Sequence, residues 1–151
     1  MAKKTKNVKY YEAVGRRKSA VARVRLYVVN KEKIATIGEA KVKQGEILVG
    51  KKPIEKVFPL LSDKVTYLKP IKLVNCEDRF AISITVKGGG KIGQLEAISL
   101  SLSRALEKVD KETYRPILKK AGLMTVDARV RERRKVGTGG KARRAKQSPK
   151  R

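Results

Sequence analysis

The sequence predicts an α+β fold, in which a mixed β-sheet of about four strands carries helices packed on it and an extended basic tail follows. Three observations lead to this prediction. Apolar and polar residues alternate in short segments early in the chain, a long stripe of apolar residues at helical spacing comes late, and the last segment has few large apolar residues.

Composition points to a polyanionic partner. The chain has 151 residues, with 39 Lys and Arg against 14 Asp and Glu, so its formal net charge is +25. That length suits one compact domain with an appendage. A charge of this size works against the compact state through self-repulsion unless a polyanion neutralises it.

Two strands are predicted at the start, around a basic turn. Residues 8–14 have strand character, and in residues 20–29 aliphatic side chains alternate with Arg23, Arg25 and Tyr27, which gives that strand a basic outer face. Residues 15–19 between them form a compact turn with three adjacent cations, Arg16, Arg17 and Lys18. These cations either bind an anion or belong to an ordinary solvated loop.

The middle of the chain is predicted as short elements separated by prolines. In order, these are a strand within 33–38, a strand at 47–50, a helix from Pro53 to Phe58, a helical turn from Ser62 to Leu68, and a strand at 70–74. Pro70 is expected to end the helical turn, because proline disfavours helix at the residue before it. A hairpin then joins 70–74 to the clearly alternating strand at 79–87.

The late part of the body is predicted to be helical. Apolar residues at helical spacing indicate a helix over residues 92–109, which Asp110 ends before starting the next helix. A short helical segment follows at 116–121, and Gly122 stops it.

The glycines between strand and helix allow three interpretations. Gly88, Gly90 and Gly93 match the G-x-G-x-x-G pattern of dinucleotide sites. That site also needs a second parallel strand after the helix, which the sequence does not provide. A tight turn with close packing is favoured, and a phosphate cradle beside Lys87 and Lys91 fits the charge.

The segment 128–151 is predicted to be an extended tail on a body formed by residues 1–127. It holds 11 basic residues and one acid, Glu132, and seven of the basic residues are Arg. Such a segment buries too little apolar surface to order itself. A solubilising arm and an anionic membrane surface are alternatives, but Arg enrichment and the lack of aromatic or Leu anchors favour nucleic acid.

Little supports catalysis. The chain has no His and a single Cys, Cys76, which is interpreted as a packing residue, and no paired carboxylates stand out. We therefore expect no catalytic residue, no metal site and no cofactor. No apolar run suits a membrane span, and the basic, polar start does not resemble a signal peptide.

Several blocks together resemble one known family. They are residues 15–24, residues 86–94, residues 118–137, residues 141–144 and the final Lys150-Arg151. Taken in this order, they are similar to the bacterial type of the small-subunit ribosomal protein S-nine family. Residues 30–45 look like a hairpin inserted into that pattern.

The resemblance implies a four-stranded sheet with a left-handed β-α-β crossover, and a structural role in the head of the small ribosomal subunit. It implies neighbouring ribosomal proteins as partners, a ribosome of the bacterial cytoplasm or of an organelle, and a tail whose Lys150 and Arg151 contact tRNA in the peptidyl site. The expected rRNA ligands are Arg16, Arg17, Lys18, Lys87, Lys91, Arg129, Arg131, Arg133, Arg134, Lys135, Lys141, Arg143 and Arg144. A free-standing RNA-binding module or RNA chaperone is the alternative.

Overall fold

The computed structural model describes residues 10–29, 34–37 and 40–143. The strands are β1 (Tyr10–Arg17), β2 (Ala20–Val28), β3 (Ile34–Ile37), β4 (Ala40–Lys43), β5 (Ile47–Val49), β6 (Lys52–Pro53) and β7 (Phe80–Lys87). The helices are α1 (Ile54–Val57), α2 (Leu61–Leu73), α3 (Lys91–Val109) and α4 (Lys111–Lys120). This mixture confirms the α+β class.

A mixed sheet of five strands, in the order β1-β2-β7-β5-β6, is the base of the fold. β1 and β2 pair antiparallel, as do β2 and β7, whereas β5 lies parallel to β7. β6 adds only two residues, so four strands make up nearly all of the sheet. α1 and α2 connect β5 to β7, because parallel neighbours need a crossover connection.

α3 covers one face of the sheet and forms the centre of the core with it. The core residues of α3 and of the strands below it are almost fully buried; among them are Val24, Leu26, Ile84, Ile98, Leu102 and Leu106. Their alternation along β2 and β7 and their helical spacing along α3 are the patterns that the sequence shows. The predicted long helix is therefore confirmed, with Lys91 as its first residue.

Gly15 lies inside β1, so the prediction of a turn over residues 15–19 is wrong in its first part. β1 continues to Arg17, and only Lys18 and Ser19 form the turn before β2. A Cβ atom on Gly15 would stand 2.2 Å from the carbonyl oxygen of Ala97 and 2.6 Å from the backbone nitrogen of Ser101. Glycine is needed here because α3 approaches the strand closely, not because the chain turns.

Pro70 lies inside α2, so the predicted strand at 70–74 and its hairpin are wrong. Tyr67, Pro70, Ile71 and Val74 are all buried. Their spacing places them on one face of a helix that packs on α3. Burial of this face outweighs the single backbone hydrogen bond that proline cannot donate.

α4 begins at Lys111 rather than at Pro116, because Asp110 caps it. The Asp110 carboxylate accepts a hydrogen bond from the backbone nitrogen of Thr113 at 3.1 Å. This bond lowers the pKa of Asp110 below its ordinary value. Asp110 also follows the last residue of α3, which confirms its predicted double role.

β3 and β4 form an antiparallel hairpin, as expected for the segment 30–45. Val42 of this hairpin is fully buried and packs with Tyr27, Leu48 and Ala81, on the side of the sheet away from α3. The parts of the predicted elements at residues 8–9, 30–33 and 38–39 lie outside the described residues.

Candidate nucleic-acid interface

The tip of the first hairpin rests on the glycine turn that precedes α3. Lys18 and Ser19 form the tip, with Lys18 at a φ of 52°. Gly88 and Gly89 have φ values of 71° and 68°, a left-handed region that favours glycine. A Cβ on Gly88 would stand 2.6 Å from the carbonyl oxygen of Ser19, and one on Gly89 would stand 2.7 Å from the Cβ of Ala20. Close packing against the tip therefore accounts for these glycines.

This packing settles two of the three interpretations of the glycine pattern. The tight strand-to-helix turn is confirmed by the contacts of Gly88 and Gly89. Between Val109 and Arg143, α3 is followed by α4 and by no parallel strand, so this part of the chain does not form the dinucleotide-binding unit. The phosphate cradle stays a prediction: α3 has no acidic residue in its first turn and no side-chain cap at Gly90.

The same packing gathers four predicted ligands at one end of the sheet. Arg16 and Lys87 face each other across Val21 of β2, Lys18 is on the hairpin tip, and Lys91 follows the glycine turn. All four cations are exposed. We call Arg16, Lys18, Lys87 and Lys91 the sheet-end cluster. Within the described residues, none of its members forms an ion pair.

Arg17 has a different environment from its neighbours, because successive strand residues point to opposite faces. Its side chain is 12% exposed and points to the helix side of the sheet. Its Nε donates to Glu96 at 2.6 Å, and one terminal nitrogen donates to the backbone oxygens of Asp127 at 3.2 Å and Arg129 at 2.7 Å. The other terminal nitrogen lies 3.2 Å from the Asp127 carboxylate. Arg17 thus fastens the start of the tail to the body, and we call these contacts the tail clamp.

The carboxylate of Asp127 is strongly held in its charged form. Arg129 donates to it from its side chain at 2.8 Å and from its backbone nitrogen at 2.9 Å. These hydrogen bonds, helped by the positive charge of Arg17, hold the pKa of Asp127 well below its usual range. Glu96 and Asp127 are not among the functional residues predicted from the sequence. Strand alternation places Arg17 on the same face as Ala13 and Gly15, which is the buried face. This is the signal in the sequence that Arg17 needs an acidic partner.

All seven cations in the described part of the tail are exposed. They are Arg129, Arg131, Arg133, Arg134, Lys135, Lys141 and Arg143. Beyond Arg129, the hydrogen bonds found among the described residues join tail residues to one another. Arg143 pairs with Glu132 through two bonds of 3.0 and 2.5 Å, which lowers the pKa of Glu132.

A glycine loop turns the tail back on itself. The backbone nitrogen of Lys135 donates to the oxygen of Lys141 at 3.3 Å, and the hydroxyl of Thr138 donates to the oxygen of Lys135 at 2.8 Å. Gly137, Gly139 and Gly140 have φ values of 76°, 60° and 76°, which this tight loop requires. The tail up to Arg143 has neither helix nor strand, but its path is shorter than a fully extended chain.

Comparison with known proteins identifies the family. Residues 15–151 match the family described as ribosomal protein S9/S16. The chain belongs to the ribosomal protein S9/S16 family. It is 41% identical over 131 residues to the small ribosomal subunit protein uS9 of Solidesulfovibrio magneticus, covering 87% of this chain and 89% of that protein. It is 42% identical over 128 residues to the protein of the same name from Maridesulfovibrio salexigens, covering 85% and 87%.

Membership of the S9/S16 family makes the chain a ribosomal protein, a structural class rather than an enzyme class. No helix of the described residues has the length and apolarity to span a membrane. Of the predicted RNA ligands, Arg144, Lys150 and Arg151 lie outside the described residues.

Proposed function

We propose that this ribosomal protein is a structural component of the head of the small ribosomal subunit. It binds rRNA through the sheet-end cluster and the tail, and the end of the tail contacts tRNA in the peptidyl site. The observation that carries the proposal is the convergence of four exposed cations from two distant parts of the chain. The uS9 names of its bacterial relatives support a cytoplasmic ribosome with other ribosomal proteins as neighbours.

The sheet-end cluster suits the RNA backbone. Like charges at one end of a sheet repel each other, and a phosphate between them removes that cost while releasing condensed counterions. The described residues offer few exposed aromatic rings, so bases have little to stack on. We therefore expect contacts to phosphates and to RNA shape rather than to base edges.

The tail suits the same partner by a different route. The tail clamp fixes where the tail leaves the body, so its cations start from a defined position. Arginine forms forked bonds to phosphate, which fits the Arg-rich segment from Arg129 to Arg134. Arg143 exchanges its exposed bond to Glu132 for an RNA phosphate at little cost, because exposed ion pairs contribute little.

The predicted contact with tRNA rests on the last eight residues, 144–151. An extended chain of that length spans at most roughly 28 Å beyond Arg143. This distance allows Lys150 and Arg151 to reach an RNA that lies outside the immediate rRNA contact of the tail.

The rRNA contact is tested with the double variant Lys18→Gln and Lys87→Gln. We expect weaker binding to small-subunit rRNA, and a salt dependence whose log–log slope is reduced by about 1.5, since each lost phosphate contact removes roughly 0.7–0.9. The matched control is Lys56→Gln with Lys111→Gln, two exposed lysines outside the cluster. Equal slopes for both double variants would show that the sheet-end cluster is an ordinary solvated surface.

The tRNA contact is tested separately in reconstituted subunits. Changing Lys150 and Arg151 to Gln is expected to lower the affinity of the peptidyl site for tRNA and to leave incorporation of the protein unchanged. Lys146→Gln serves as the control within the same segment. Wild-type tRNA affinity in the Lys150 and Arg151 variant would remove the tRNA role and leave the rRNA role standing.

A further inference from the structure

Among the described residues, only part of the sheet face opposite α3 is covered. The β3–β4 hairpin packs on its lower half through Val42, together with Tyr27 and Ala81. The upper half, at the end of the sheet that carries Lys18, has two rows of residues that are aligned across β1, β2 and β7. Arg16, Val21 and Lys87 form the first row, and Val14, Arg23 and Thr85 form the second. We call these six residues the open face.

The open face carries an unbalanced positive charge. Arg16, Arg23 and Lys87 are exposed, and none forms an ion pair within the described residues. The acid nearest along these strands is Glu12, which Arg25 neutralises at 2.6 Å. Neighbouring strands lie ~4.8 Å apart, so Arg16 and Lys87 are separated by roughly 10 Å, with Arg23 two residues along the middle strand. Three cations thus surround the shorter side chains of Val14, Val21 and Thr85.

We infer that the open face binds the sugar–phosphate backbone of folded small-subunit rRNA, with Arg23 as a phosphate ligand that the sequence alone did not single out. The inference rests on the proposed function and extends its contact surface, because Arg16 and Lys87 belong to both the open face and the sheet-end cluster. A helical RNA presents a broad, shallow groove and rows of phosphates, which an exposed cationic sheet face can contact without entering the helix.

Two features favour the RNA backbone over other occupants. The exposed apolar side chains of the open face are only Val14 and Val21, each 37% exposed, whereas the centre of a protein interface is depleted of charge and rich in large apolar groups. On this side of the sheet, the exposed ring of Tyr10 is already engaged by the Arg25 guanidinium at 5.0 Å and by the Tyr27 ring at 5.5 Å. Base stacking therefore has little to use here, and phosphate contact remains.

The test of affinity uses the full chain and purified small-subunit rRNA. Arg23→Gln is expected to weaken binding several-fold and to lower the log–log salt slope by about one, without a change in melting temperature, because Arg23 is exposed. Lys111→Gln, which removes one exposed charge from α4, is the control. If wild type binds and Arg23→Gln matches it in affinity and slope, the open face is overturned while the proposed function stands. If wild type shows no affinity for this rRNA, both fail.

The identity of the occupant is tested in assembled subunits. A photoreactive amino acid placed at Thr85, on the β7 side of the open face next to Arg23, is expected to cross-link to rRNA. Cross-linking only to another ribosomal protein would assign the face to an acidic protein segment and overturn the inference. No cross-link, in subunits that contain the variant at normal stoichiometry, would overturn it as well.

Discussion

Replacing Gly15 by Ala tests the close approach of α3 to β1. The new Cβ would stand 2.2 Å from the Ala97 oxygen, and both atoms that it meets first belong to backbone. The helix must then retreat by more than about 1 Å, which protein interiors resist because they are close-packed. Overpacking costs about 1–3 kcal/mol, and a backbone clash belongs at the upper end, so we expect a loss of about 3 kcal/mol.

The assay is equilibrium unfolding in urea. With a slope of about 2 kcal/mol per molar, the midpoint is expected to fall by about 1.5 M. Gly93→Ala is the matched control, since a Cβ there would make ordinary contacts at 3.6 and 3.7 Å. Because Gly93 lies in a helix, this change should raise the free energy of unfolding by roughly 0.5–1 kcal/mol. A midpoint within about 0.2 M of wild type for Gly15→Ala would refute the reasoning.

Three further predictions concern the tail clamp and the core. Arg17→Gln is expected to free the start of the tail, so trypsin cleaves after Arg129 several-fold faster than in wild type or in Arg16→Gln; equal rates would contradict the clamp. The carboxyl of Asp127, followed by NMR, should titrate with a midpoint below the ordinary ~3.9, chiefly because Arg129 donates to it. The contact between this carboxylate and Arg17 is therefore present above pH ~3.9 and is lost as the pH falls through the lowered pKa; a midpoint at or above ~3.9 would argue against these contacts. Tyr114→Phe removes a hydroxyl that accepts hydrogen bonds from the Cys76 thiol at 3.3 Å and from the Arg79 guanidinium at 2.9 Å. The free energy of unfolding in urea should fall by about 1 kcal/mol, and an unchanged value would show that these bonds do not stabilise the fold.

Much of the fold follows from periodicity that the sequence displays openly. The alternation in β2 and β7 and the stripe of α3 each bury one face, so pattern and structure agree. The prediction that Pro70 ends a helix is wrong. Proline disfavours helix through a local effect, whereas the burial of Tyr67 and Ile71, which outweighs this effect, depends on packing against α3. The prediction of a turn at Gly15 is wrong for the same reason. Glycine is required there by the close approach of Ala97, more than eighty residues away, which no local pattern shows.

Likewise, only part of the candidate site can be predicted from the sequence. The basic character of residues 16–18 and 87–91 is visible in the sequence, but their meeting at one end of the sheet depends on tertiary packing. The three adjacent cations are equivalent as a sequence pattern. In the structure, strand alternation points Arg16 to solvent and Arg17 to the helix side of the sheet, where it pairs with Glu96. Whether these cations bind rRNA stays a prediction.

The two halves of the sheet-end cluster are encoded about seventy residues apart. The pairing of β1, β2 and β7 and the seating of the hairpin tip on Gly88 and Gly89 bring them together. An incomplete or misfolded polypeptide therefore displays scattered cations rather than this constellation. On the proposed function, binding of rRNA at this cluster would therefore require that the sheet and the long helix have already formed.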